Sequence, residues 1–126
     1  MNENNQLQLV TFEQAKRLEE LGFDWKTQYF YTPNEFIRYS ATMFNFNECN
    51  DDINVGSYCC SAPTVAHALK WFRDVKKMYS DGGFYISEKK WRFYYGKQCN
   101  ILEEKRTDNY DTYDDAEMIL LDKLLE

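Results

Sequence analysis

The residues best suited to chemistry in this 126-residue chain are four cysteines, Cys49, Cys59, Cys60 and Cys99, and a single histidine, His67. A structural zinc site needs Cys-x2–4-Cys pairs, because that spacing lets two sulfurs converge on one ion. Cys59 and Cys60 are adjacent instead, and in extended chain they point to opposite faces. The nearest other thiol, Cys49, is ten residues away. A cysteine nucleophile needs a base, and His67 falls on the polar side of a helix. The acidic trio Asp114, Asp115 and Glu117 sits in a first helical turn, where the helix dipole and unpaired amides account for it. The segment from Asn50 to Gly56 has calcium-loop residue types, but glycine comes at the seventh position and Ser61 stands where a bidentate Glu belongs. A phosphate-cradling glycine loop, Gly-x-Ser-x-Gly and His-Glu-x-x-His are all missing from the sequence. No catalytic residue, metal or cofactor is therefore assigned. An enzyme would need a pocket that gathers residues far apart in the sequence.

Charge offers more. The net charge of −6 divides into −5 over residues 1–63, +5 over residues 64–97 and −6 over residues 98–126. The basic middle combines Lys70, Arg73 and Lys77 along one helix with Trp91, Phe93 and Tyr95 at alternate positions of a strand. Cations beside a stacking face are what a single-stranded nucleic acid requires. Two facts oppose it: alternating aromatics usually face a core, and overall acidity disfavours polyanions.

The elements that would position these groups are well marked. Thr-apolar-x-x-Ala-x-x-apolar occurs at Thr11, at Thr64 and at Thr112, each before an amphipathic run, so each threonine reads as a helix start. The spacing predicts helices at Phe12–Leu21, stopped by Gly22, at Val65–Tyr79 and at Tyr113–Leu125. Glu13–Arg17 and Lys16–Glu20 are candidate i,i+4 pairs on the first. Strands are expected at Thr27–Tyr31, Phe36–Phe46, Ser57–Ser61, Phe84–Ser87, Trp91–Tyr95 and near Cys99–Glu103. Turns are expected at Thr32–Glu35 and Asp81–Gly83, a polar loop at Asn45–Ser57 and a polar connector at Lys105–Asp111.

The third helix has two apolar stripes. Tyr113, Ala116, Ile119, Leu120 and Leu124 form one; Met118, Leu121 and Leu125 form another, roughly 120–140° round the wheel. Such a helix is either sandwiched inside the domain or offers its second stripe to a partner. Ten Tyr and nine Phe with only two Pro argue for a packed fold. The expectation is α+β: an antiparallel sheet of four to five strands with three helices in a single layer on one face. Residues 9–126 would form one domain after a flexible 1–8. With no basic-then-apolar leader and no apolar run of membrane length, the chain reads as cytoplasmic, its thiols reduced, with no membrane partner.

Val10–Lys16 through Gly22-Phe23-Asp24-Trp25, Ala62-Pro63-Thr64 with Lys70-Trp71-Phe72, and Tyr113–Glu117 with Leu120-Leu121 together carry a resemblance. The chain resembles small uncharacterised proteins found in many copies in gut Bacteroidetes and in their phages and mobile elements. The resemblance covers most of the chain except Asn45–Gly56 and implies an accessory cytosolic protein, with no activity to transfer to any residue. The functional expectation is a non-enzymatic protein that binds a protein partner, or itself, through Met118, Leu121 and Leu125. The alternative is a nucleic-acid binder using Lys70, Arg73, Lys77, Trp91, Phe93 and Tyr95.

Overall fold

The computed structural model describes residues 8–47, 60–98 and 104–126. Residues 1–7 of the terminus expected to be flexible over 1–8, the part after Asn47 of the loop expected at Asn45–Ser57, the strand expected near Cys99–Glu103, and Cys49, Cys59 and Cys99 lie outside the described residues. The chain is α+β; the described residues form three helices and two antiparallel three-stranded sheets, not one sheet of four to five strands. It divides into two compact units, Met1–Thr64 and Val65–Glu126, each with its own sheet.

The first unit contains α1 (Phe12–Glu20), β1 (Thr27–Tyr31), β2 (Ile37–Phe44) and β3 (Cys60–Ser61), with strand order β2-β1-β3. Thr11 starts α1 through a full capping box. Its hydroxyl accepts from the Gln14 amide at 3.1 Å, and the Gln14 side-chain oxygen accepts from the Thr11 amide at 2.9 Å. The helix ends in a Schellman motif: Gly22 has φ +95°, its amide reaches the Glu19 carbonyl, and the Phe23 amide reaches the Leu18 carbonyl. Leu18 and Phe23, the apolar pair of that motif, are both buried. On the wet side, Lys16–Glu19 and Arg17–Glu20 pair at i,i+3. Phe12 meets Tyr31 edge-on at 5.5 Å, and the Tyr31 hydroxyl donates to the Val10 carbonyl at 2.7 Å.

A half-buried amide ties the unit's distant segments together. Asn47 donates from Nδ2 to the Phe23 carbonyl at 2.8 Å, and its Oδ1 accepts from the Ser61 amide at 3.0 Å. The Ser61 hydroxyl in turn accepts from the amide of the fully buried Phe46, which stacks on Phe30 at 4.5 Å. Asn47 thus belongs to the frame and not to a solvated loop.

The second unit contains α2 (Val65–Asp74), β4 (Met78–Tyr85), β5 (Lys90–Lys97), β6 (Lys105–Arg106) and α3 (Tyr113–Leu125), with strand order β4-β5-β6. The second helix stops five residues earlier than its periodicity predicts. Lys77 takes a left-handed φ of +57°, and Met78 enters an eight-residue ladder with β5. Strand pairing therefore claims Met78 and Tyr79, whose spacing also suits a helix. Gly82 and Gly83 lie within that ladder and not in a turn. A Cβ on Gly82 would collide with the Arg92 carbonyl and approach the Phe93 Cα to 2.8 Å, so glycine permits close strand approach there. The turn falls at Ile86–Lys89, with Lys89 at φ +56°.

The expected connector at Lys105–Asp111 holds β6. Tyr94 pairs with Arg106 and Tyr95 with Lys105, Thr107 exchanges hydrogen bonds with Phe93, and Trp91 and Tyr110 bridge in both directions. Backbone groups along the far edge of β5 need partners, and a polar segment supplies them as well as an apolar one. Thr112 caps α3 by accepting from the Asp115 amide at 3.1 Å.

Candidate functional site

Among the described residues strand β2 lies at the sheet edge, with β1 on one side only. Its neighbourhood carries five large apolar side chains, Phe36, Ile37, Tyr39, Met43 and Phe44, each between 42% and 62% exposed. Sheet edges are normally blunted by charge, proline or irregularity. Here Arg38 is the one charged residue of the strand, and Pro33 lies outside it in the preceding turn. The register does shift: Tyr29 pairs with Tyr39 but Thr27 pairs with Phe44, leaving three extra residues on β2. Ser40 organises that bulge, its hydroxyl bonding both the amide and the carbonyl of Thr42. The Thr32–Phe36 turn is closed by the Thr32 amide on the Phe36 carbonyl at 2.9 Å, with Glu35 at φ +67°. Sequence reasoning placed a strand here but missed its exposure. The available signal was apolar residues at both parities, Phe36 and Phe44 against Ile37, Tyr39 and Met43, where a half-buried strand alternates.

The basic, aromatic middle is not one surface. Register places Met78, Ser80, Gly82 and Phe84 of β4, Trp91, Phe93, Tyr95 and Lys97 of β5, and Lys105 of β6 on one face. That face carries α3: Tyr113 meets Trp91 edge-on at 5.1 Å and Phe93 at 5.7 Å. Phe93 and Tyr95 are buried and Trp91 half-buried, so the three aromatics pack a core and present no open platform for bases. Arg92, on the other face, stacks over the Tyr85 ring at 3.9 Å and pairs with Glu88 at 3.2 Å. Lys77 lies beyond the helix end, off the stripe expected with Lys70 and Arg73.

Lys70 and Arg73 share one carboxylate, Asp74, at 2.7 and 3.5 Å. The hydrogen bond from Lys70 holds the Asp74 carboxyl below its ordinary value, and Arg73 adds to the effect. These two cations line a cleft of about 400 Å³ whose other walls include Ser80, Asp81, Phe93, Tyr113 and Glu117. Glu117 is buried, and burial raises its carboxyl above the ordinary value despite a 2.9 Å hydrogen bond from the Tyr113 hydroxyl. Burial, then the Glu117 hydrogen bond, push the Tyr113 phenol up to about 12. The cleft thus mixes two cations with two carboxyls and has no surplus of either sign.

The second stripe of α3 is not an outer face. Leu121 and Leu125 are 0% and 5% exposed, and Met118 is half-buried. Six of the thirteen residues of α3 are buried and they span both stripes, which is why its apolar pattern fits no single face. His67 is half-buried, its imidazole pushed below the ordinary value by burial and by the Lys70 ammonium. Cys60 is buried. Asp114 and Asp115 are exposed in the first turn of α3.

Among the described residues no three His, Cys, Asp or Glu side chains gather as a metal site would require. No helix among them is long and apolar enough to cross a membrane. Compared with family models, with curated proteins and with solved structures, the chain matches none.

Proposed function

We propose that this chain acts by binding a protein partner, with β2 as the docking strand and no chemistry of its own. One observation carries the proposal: four large apolar side chains of β2, with Phe36 just before it, stand exposed on a strand that is at the sheet edge among the described residues. Large apolar side chains left exposed together in one stretch of chain mark an interaction segment, and an edge strand supplies backbone donors and acceptors for an incoming strand. The occupant is an extended segment of another protein. Residues 1–63 carry a balance of −5, so a segment with Lys or Arg beside its apolar residues is the favoured guest. Two copies of a chain with net charge −6 repel, which disfavours the same edge pairing with itself. Docking through Leu121 and Leu125 would require exposing buried side chains and is not proposed. A cytosolic, accessory role connected with a phage or mobile element belongs to this proposal and rests on the resemblance alone.

The test is a photo-crosslinking residue at position 39, together with the double variant Ile37→Lys, Tyr39→Lys. The expected result is a crosslink to an extended segment of one partner, lost in the double variant, with amides of Ile37–Tyr39 gaining exchange protection in the complex. A partner retained undiminished by a folded double variant removes β2 from the function. A dimer by light scattering that the variant abolishes assigns the edge to a second copy instead.

A further inference from the structure

Outside the cleft and β2, three lysines converge on a separate cavity of about 190 Å³ in the second unit. It is lined by Lys97, Lys105 and Lys123 with Met78, Tyr95 and Leu124 among its walls. Register explains the convergence. Lys97 follows Tyr95 by two residues on β5, Lys105 is the cross-strand partner of Tyr95, and Met78 is the partner of Lys97. All four therefore stand on the α3-bearing face, where Lys123 from the last turn of α3 joins them. Position along β6 is held by Tyr79, whose hydroxyl donates to Glu104 at 2.7 Å; desolvation and that bond push its phenol up to about 12.

Lysines near a helix C-terminus offset the dipole, and one such charge suffices for that. Three are present. Lys123 lies 3.7 Å from Glu126, and among the described residues neither Lys97 nor Lys105 forms an ion pair. Glu126 also lines the cavity, and among the described side chains around it three ammonium groups against that one carboxylate leave two positive charges. The cavity volume corresponds to about six waters, enough for a phosphoryl group and a few further atoms but not for a polymer.

We propose that this cavity binds a phosphate dianion, as inorganic phosphate or the phosphoryl end of a small phosphomonoester. Lysine serves phosphate as a point charge that needs no planar geometry. Two surplus charges match a dianion better than the single charge of a phosphodiester. The apolar walls, Met78 and Leu124, suit the carbon-bearing part of a monoester.

The probes are inorganic phosphate and glycerol 2-phosphate, titrated by amide NMR at constant ionic strength with chloride as the control. Both are expected to shift Lys97, Lys105 and Lys123 below about 10 mM, and chloride to leave them unmoved. Affinity should fall as pH drops from 7.5 to 5.5, because a phosphomonoester loses its second charge near pH 6. The variant Lys97→Gln, Lys105→Gln should weaken binding on the order of tenfold or more, with Lys89→Gln unchanged; Lys123→Gln replaces the double variant if that one misfolds. Equal shifts with chloride, undiminished binding in the variants, or a response to oligothymidylate alone would each overturn the proposal. A larger shift with glycerol 2-phosphate than with phosphate identifies the monoester as the ligand, and equal shifts identify the free ion.

Discussion

Tyr113 and Glu117 face each other across one turn of α3, the phenol donating to the carboxylate at 2.9 Å while burial pushes both groups above their ordinary pKa values. The carboxyl is thus held between two opposing influences. The hydrogen bond favours its charged form, and desolvation, with the nearby Asp114, favours its neutral form.

That balance gives a pH signature. A carboxyl raised in the fold binds its proton more tightly there than in the unfolded chain, so stability declines as pH rises from about 4.5, the unfolded value, through the folded pKa. Glu117→Gln should flatten this decline, its advantage over the parent absent at low pH and growing across the window. Tyr113→Phe should raise the Glu117 pKa further and cost about 1 kcal/mol. Urea unfolding at several pH values, with carboxyl titration by NMR, checks both; a parallel pH profile for Glu117→Gln would contradict the assignment.

Gly82 and Gly83 are neighbours with opposite expectations. Gly82→Ala drives a methyl into the β5 backbone and should cost about 2–3 kcal/mol. Gly83→Ala meets nothing within 4 Å and should be nearly silent. Thermal melts of the two variants decide it.

Asn47→Ala leaves the Phe23 carbonyl and the Ser61 amide without their bonds. Stability should fall by about 2–3 kcal/mol, and exchange at Ser61 and Phe46 should accelerate well beyond that at Gln14.

Leu121→Ala and Met118→Ala separate a core helix from a docking helix. The first should cost about 3 kcal/mol and the second distinctly less. Comparable small losses would mean that Leu121 is accessible in solution.

The sequence was most legible where local chemistry decides structure. Thr11 with Gln14, Gly22 after α1 and Thr112 before α3 work within a few residues, and each behaves as its residue type implies. It was least legible where a distant strand decides. Met78 and Tyr79 suit a helix until β5 pairs with them. Gly82 reads as a turn until Phe93 lies against it, and Lys105 reads as connector until Tyr95 needs a partner. The same limit applies to sites. Phe93 and Tyr95 have the residue types of a stacking platform, and Leu121 and Leu125 those of a docking stripe, yet burial depends on what covers them. The exposure of Tyr39 and the meeting of Lys97 with Lys105 and Lys123 follow from strand order and register, which no short window contains.

The three extra residues of β2 between Tyr39 and Phe44 have one further consequence. Each flank of the bulge is anchored on its own, Ile37–Tyr39 to Tyr29–Tyr31 and Phe44 to Thr27. Residues added or removed there leave both anchors in place and cost little in loop entropy. This stretch is therefore open to variation in length as well as in composition, so descendants of this chain can reshape the strand without relearning how to fold.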